Sequence, residues 1–289
     1  MQECLNFYYN FGKFFRSFGN QKAYMMILEY ITWEVDPEIF RIGSFAIRWY
    51  GLFFALSFLL GYLIFQKFFK KEGVSIEVLD KLVIYMFFGT LIGARLGHCL
   101  FYEPDYYLSN PIEIFKIWKG GLASHGAAIG IIVALYLFAR NTKKPFFWII
   151  DRIVIVVALA GFFIRMGNLM NSEIYGIQTS LPWGFIFVRN NETVAKHPTQ
   201  IYEALSYLII FLALLRIYFN KNGKIYGGYL FGLFLITVFT ARFLIEFIKE
   251  NQVGFEESLP LNMGQFLSIP LIVLGIVMIW QAYKKKKPL

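Results

Sequence analysis

Apolar residues fall along this chain in seven long runs separated by polar stretches, and inside a run they do not alternate with polar ones. The runs cover about 48–69, 80–101, 122–140, 147–167, 201–219, 226–247 and 265–283. Each is as long as the roughly 17–25 residues a helix needs to cross hydrocarbon. Continuous runs favour helices over a barrel, whose strands alternate. The pattern predicts an all-α polytopic membrane protein of seven transmembrane helices. They form one domain over 31–283, with an N-terminal extension at 1–30 and a basic tail at 284–289. No internal repeat and no low-complexity linker is visible.

The connections set the orientation. Alternate ones hold Lys67, Lys70 and Lys71, then Arg140, Lys143 and Lys144, then Arg216, Lys221 and Lys224, then the lysines of 284–287, with Lys81 and Arg152 flanking the same side. The opposite connections hold Lys116, Lys119, Arg189, Lys196 and Lys249. Positive residues stay in the cytoplasm, so the C-terminus is placed inside and the N-terminus outside. Lys13, Arg16, Lys22, Arg41 and Arg48 argue weakly the other way. Residues 168–200 form the longest outer connection, and a small extracytoplasmic cap is expected there, with "LPWGFIFV" pairing as a short strand. The tyrosines and tryptophan of 102–121 suit an interface.

Composition agrees: 57% of residues are hydrophobic and 16% charged, against about 25% charged in ordinary soluble domains. The net charge of +9 follows from basic loops between apolar spans, so no nucleic-acid partner is expected. Cys4 and Cys99 are too scattered for a disulfide framework, and His98, His125 and His197 lack ligand spacing, so neither a metal nor a cofactor is expected. No cleavable signal opens the chain, and Met25 or Met26 remains an alternative start.

Polar groups inside apolar runs are costly and mark function. Arg95 lies in the second run, with His98 just beyond it. Arg165 lies near the end of the fourth. Arg242 and Glu246 lie near the end of the sixth, four residues apart and on one helix face. His125 opens the third run in "GGLASHGAAIG", and Tyr50 opens the first in "IRWYG". With alternate runs pointing outward, all of these fall at one depth, near the outer boundary. Three arginines in one layer require anions, which Glu173, Glu203, Glu246 and a phosphate can supply. The plainer alternatives are snorkelling arginines, a structural Arg242–Glu246 pair, a packed His98, and glycines used only for helix contact.

The segment "IRMGNLMNSEIYG" at 164–176 resembles the G-R-x-G-N-F-x-N-x-E-x-x-G signature of bacterial phosphatidylglycerol–prolipoprotein diacylglyceryl transferases. Ile164 and Leu169 depart from it at apolar positions. Arg165, Asn168, Asn171, Glu173, Gly167 and Gly176 are intact. "RWYG" at 48–51, "GARLG" at 93–97, "SHGAAIG" at 124–130, "HPTQIYEA" at 197–204, "ARFLIEFIKENQ" at 241–252 and "MGQFLSIP" at 263–270 follow in the family's order, with Ala127 in place of a glycine. The resemblance spans roughly 30–283.

It implies transfer of the diacylglyceryl group of phosphatidylglycerol to a lipobox cysteine thiol beside a prolipoprotein signal peptide. Glycerol 1-phosphate is released, in the first step of lipoprotein maturation. The implied location is the bacterial cytoplasmic (inner) membrane, with the active site toward the outer leaflet. Arg165 and Arg242 are then expected to hold the leaving phosphate, with Arg95 assisting, and His125 to take the thiol proton. Tyr50, Asn168, Glu173, Gly176 and Glu246 are expected to bind or orient the lipid. A transporter would instead want midplane polar residues and symmetric halves. A metal-dependent headgroup transferase would want paired aspartates in a span.

Overall fold

The computed structural model describes residues 30–43, 45–117, 120–251 and 260–285. The N-terminal extension lies outside the described residues except for Tyr30, as do Cys4, both alternative start methionines, and the tail from residue 286 on.

A helix occupies each of the seven apolar runs. They are α1 (Trp49–Lys71), α2 (Ile76–Phe101), α4 (Ser124–Thr142), α5 (Phe146–Met170), α6 (Thr199–Asn220), α7 (Tyr229–Ile245) and α8 (Met263–Lys285), with a short α3 (Pro104–Ser109) after α2. Five of them are long and apolar enough to cross a membrane: α1, α5, α6, α7 with its 3-10 extension to Ile248, and α8. α7 starts at Tyr229, three residues later than expected, because Gly228 adopts φ 85° and ends the preceding turn.

Large side chains pack at one end of the bundle. Phe68 and Phe69 of α1, Leu79 and Leu82 of α2, Leu135 and Phe138 of α4, Ile149 and Ile155 of α5, Leu214 and Tyr218 of α6 and Leu230 of α7 form its core. A buried ion pair lies there too: Arg152 Nη2 is 2.8 Å from Glu72 Oε2, and the Arg152 side chain is 1% exposed. Glu72 also accepts from Trp148 Nε1 at 2.9 Å and from the Tyr218 hydroxyl. Arg152, read from the sequence as flanking the cytoplasmic side, is a paired core residue.

The other end is packed by small residues. Along the α2–α4 seam, a Cβ on Gly93 would meet Gly126 O at 2.4 Å, and one on Gly130 would meet Gly89 O at 2.1 Å. Backbones touch there, as small residues permit between membrane helices.

Short strands lie over this end. β2 (Glu38–Ile42) and β3 (Phe45–Arg48) form an antiparallel hairpin that runs into α1. β1 (Ile31–Trp33) pairs in parallel with β4 (Phe185–Phe187), in the register Ile31↔Phe185 and Trp33↔Phe187. The strand expected within "LPWGFIFV" is thus present. Its partner and the hairpin are features the run pattern did not reveal. Leu169, Phe185 and Phe187, with Trp33, Tyr175 and Ile201 against them, form a small second core. Trp33 Nε1 donates to Leu169 O at 2.9 Å, which ties β1 to the end of α5.

Candidate active site

The small-residue end collects the polar groups. Helix α5 brings Arg165 and Asn168 on its last turns, one helical step apart. Arg165 Nη1 donates to Asn168 Oδ1 at 3.1 Å. Asn168 Nδ2 donates to Glu173 Oε1 at 2.7 Å, and Asn171 Nδ2 reaches the same oxygen at 3.3 Å. Glu173 sits between Ser172 and Ile174, whose φ values are 54° and 62°. Left-handed backbone is costly for non-glycine residues, above all a β-branched one. Neighbouring side chains hold it in place. Asn190 Nδ2 donates to Ser172 O at 2.7 Å, Gln200 Nε2 to Glu173 O at 2.7 Å, and Thr199 Oγ1 to Ile174 O at 2.9 Å.

Helix α6 answers Arg165 from its first turns. Glu203, with no exposed side-chain surface, places Oε2 2.7 Å from Arg165 Nε, a close ion pair outside hydrogen-bond geometry. Its other oxygen accepts from Lys249 Nζ at 3.1 Å, and Lys249 also lies 3.3 Å from Glu246 Oε2. Tyr207 lies one turn further along α6, close enough to feel the charges of both Arg165 and Arg242. The two arginines therefore meet around one tyrosine and the carboxylates of Glu203 and Glu246.

Arg242 is the less restrained of the two. Its Nε is 3.9 Å from Glu246 Oε2, and that buried nitrogen has no hydrogen-bond partner among the described residues. Its side chain keeps 34% exposure, whereas Arg165 keeps 14%. Tyr50, at the start of α1, lies within reach of the charges of Glu173 and Arg165, its ring packed on Gly167.

Other expected ligands stand differently. Gly176 forms an antiparallel bridge with Lys249. A Cβ there would lie 2.2 Å from Ile248 O, and its N–H donates to His197 O at 2.8 Å. It serves close backbone approach inside the cap. Arg95 is 3% exposed and its guanidinium is taken up by main-chain carbonyls. Nε donates to Ile114 O at 2.8 Å, Nη1 to Gly120 O at 2.6 Å, and Nη2 to Glu113 O at 2.6 Å. This occupancy leaves few Arg95 N–H groups to meet the phosphate it was expected to assist with. His125 is exposed on the first turn of α4, in a cleft of about 270 Å³ shared with Gly97, Phe101 and Tyr102. Among the described residues no hydrogen bond or ion pair joins it to either arginine. His197 lies at the cap's edge, its Nδ1 3.2 Å from the Tyr202 hydroxyl, and burial holds its imidazole below the ordinary value.

Lys249, Tyr207 and Gln200 were not picked out by the sequence. For Tyr207 and Gln200 the available signal is spacing: both share a face of α6 with Glu203, at three and four residues.

A family model described as prolipoprotein diacylglyceryl transferase matches residues 37–281. The chain belongs to this family. Three relatives, each named phosphatidylglycerol–prolipoprotein diacylglyceryl transferase, share 45–48% identity with it. The one from Tolumonas auensis is 48% identical over 257 residues, covering 89% of this chain and 99% of its own. That of Chloroherpeton thalassium is 46% identical over 257 residues (89% and 96%), and that of Porphyromonas gingivalis 45% over 275 residues (90% and 97%). As a member of a transferase family with five spanning-length apolar helices, the chain is a multi-pass membrane transferase.

Proposed function

We propose that the chain moves the diacylglyceryl group of phosphatidylglycerol onto the lipobox cysteine of prolipoproteins, within the inner membrane and at its outer leaflet. In this reading α2 and α4 also cross, giving seven spans with the N-terminus outside. The observation that supports the reading is the meeting of Arg165 and Arg242 around Tyr207, with the Arg242 side chain keeping 34% of its surface exposed for an anion.

The reaction needs a thiolate and a stabilised leaving phosphate. The thiol, ordinarily of pKa about 8.5, gives up its proton, and His125 is the group proposed to take it. The thiolate then attacks the diacylglycerol carbon that bears the phosphate. A C–S bond forms, the primary C–O bond breaks, and glycerol 1-phosphate leaves with the electron pair. Arg242 meets the phosphate oxygens as charge gathers on them, and Arg165, held by Glu203 and Asn168, offers its remaining N–H groups. Glu173 keeps Asn168 turned toward Arg165. Glu246 balances the charge of Arg242, and Lys249 links Glu246 to Glu203.

Mass spectrometry of a lipobox peptide incubated with the protein and phosphatidylglycerol tests the reading. A diacylglyceryl adduct on cysteine is expected, and solute flux in liposomes without any adduct would point to transport instead. Arg242→Ala should lower kcat/KM by about 100- to 1,000-fold, the usual loss for one transition-state donor. Normal turnover in that variant would remove the phosphate role. Full activity in His125→Gln would remove the base assignment.

A further inference from the structure

We propose that Arg95 is a positioning residue for His125: it clamps the turn that leads into α4 and so fixes where the imidazole stands. The inference rests on the reading of His125 as the base. Arg95 gathers the carbonyls of Glu113, Ile114, Gly120 and Gly121, at 2.6–3.2 Å, and packs its guanidinium 4.9 Å from the Tyr107 ring.

Two consecutive residues of this turn, Gly120 and Gly121, have φ of 86° and 72°. That backbone lets both carbonyls point at one cation. A side chain has no room at Gly121, where a Cβ would lie 2.5 Å from the His98 ring and 2.8 Å from Arg95 Nη1. Two residues on, Ala123 N donates to Ala94 O at 2.9 Å. Gly126 is seated against Gly97 so closely that a Cβ would lie 2.6 Å from its Cα. His125 falls between these last two anchors. The clamp, the hydrogen bond and the glycine contact all tie the start of α4 to the end of α2, which fixes the backbone from which the imidazole projects.

Arg95→Lys tests this, with Gly121→Ala beside it. Lysine keeps the charge but concentrates its donors at one point, so it cannot span carbonyls from both sides of the turn. Expected is a fall in kcat of about 100-fold with KM for phosphatidylglycerol unchanged, the cost of a misplaced catalytic group. Gly121→Ala, which displaces the guanidinium without removing it, should lose kcat in the same way, and the double variant should be no worse than either single one. Amides 121–126 should exchange faster in Arg95→Lys in lipid nanodiscs. A raised KM with kcat intact, wild-type turnover in Arg95→Lys, or normal activity in Gly121→Ala would overturn the positioning role. If His125→Gln proves fully active, the base reading fails by itself. The exchange rates then decide alone: faster exchange keeps the clamp, and unchanged exchange removes it.

Discussion

His197 sits where the cap joins α6, part-buried against Tyr202, and burial disfavours its protonated form. The unfolded chain, with an ordinary value near 6.5, takes up the proton first as pH falls. Stability from this group is therefore complete above that value and is lost as pH drops through it toward the depressed folded value. Thermal unfolding in detergent should show a melting temperature that falls below pH 6.5, more weakly in His197→Gln; equal slopes would remove the effect. At this scale the sequence revealed which residues carry charge but not what each meets. Lys249 reads as a loop lysine, yet it is buried between two glutamates. Arg95 reads as an intramembrane cation in need of an anion, yet its partners are main-chain oxygens, which no composition displays. Arg165, Asn168 and Glu173 were legible because they crowd one short segment whose own turn brings them into contact.

Helix α7 begins with an acceptor borrowed from another helix. Asp151 of α5 accepts from Gly228 N at 2.7 Å and Phe231 N at 2.8 Å, two of the amides that the start of a helix leaves unpaired. Asp151→Ala should cost roughly 1–2 kcal/mol, as loss of an N-cap does, read as a lowered melting temperature. Asp151→Asn, which keeps an oxygen acceptor, should retain most of the stability. The helices themselves were legible because their apolar runs exceed what any strand needs. The β2–β3 hairpin was passed over although "FRIGSFAI" alternates on either side of a glycine–serine pair, a recognisable turn signal. Long neighbouring runs dominate a hydropathy reading, so a hairpin of this size disappears into the approach to the first span.

The molecule is built unevenly. One end is filled by large side chains pinned by Arg152 and Glu72, and the other is left to backbone contact, arginines and carboxylates. Arg152→Met alone strands the part-buried Glu72 carboxylate and should cost up to about 3 kcal/mol, whereas pairing it with Glu72→Leu should recover much of that loss. Additive losses in detergent melts would show that the pair does not act as a unit. The small sheet over the polar end carries a consequence in time. β1 is made early, but its partner β4 follows about 150 residues later, and the carbonyl that receives Trp33 is nearly as remote. At about 5–20 residues per second, the first strand waits on the order of ten seconds with its edge unpaired. A nascent chain arrested before residue 185 already contains α1 to α5 and lacks β4, so completion of the small sheet over the polar end is timed by translation.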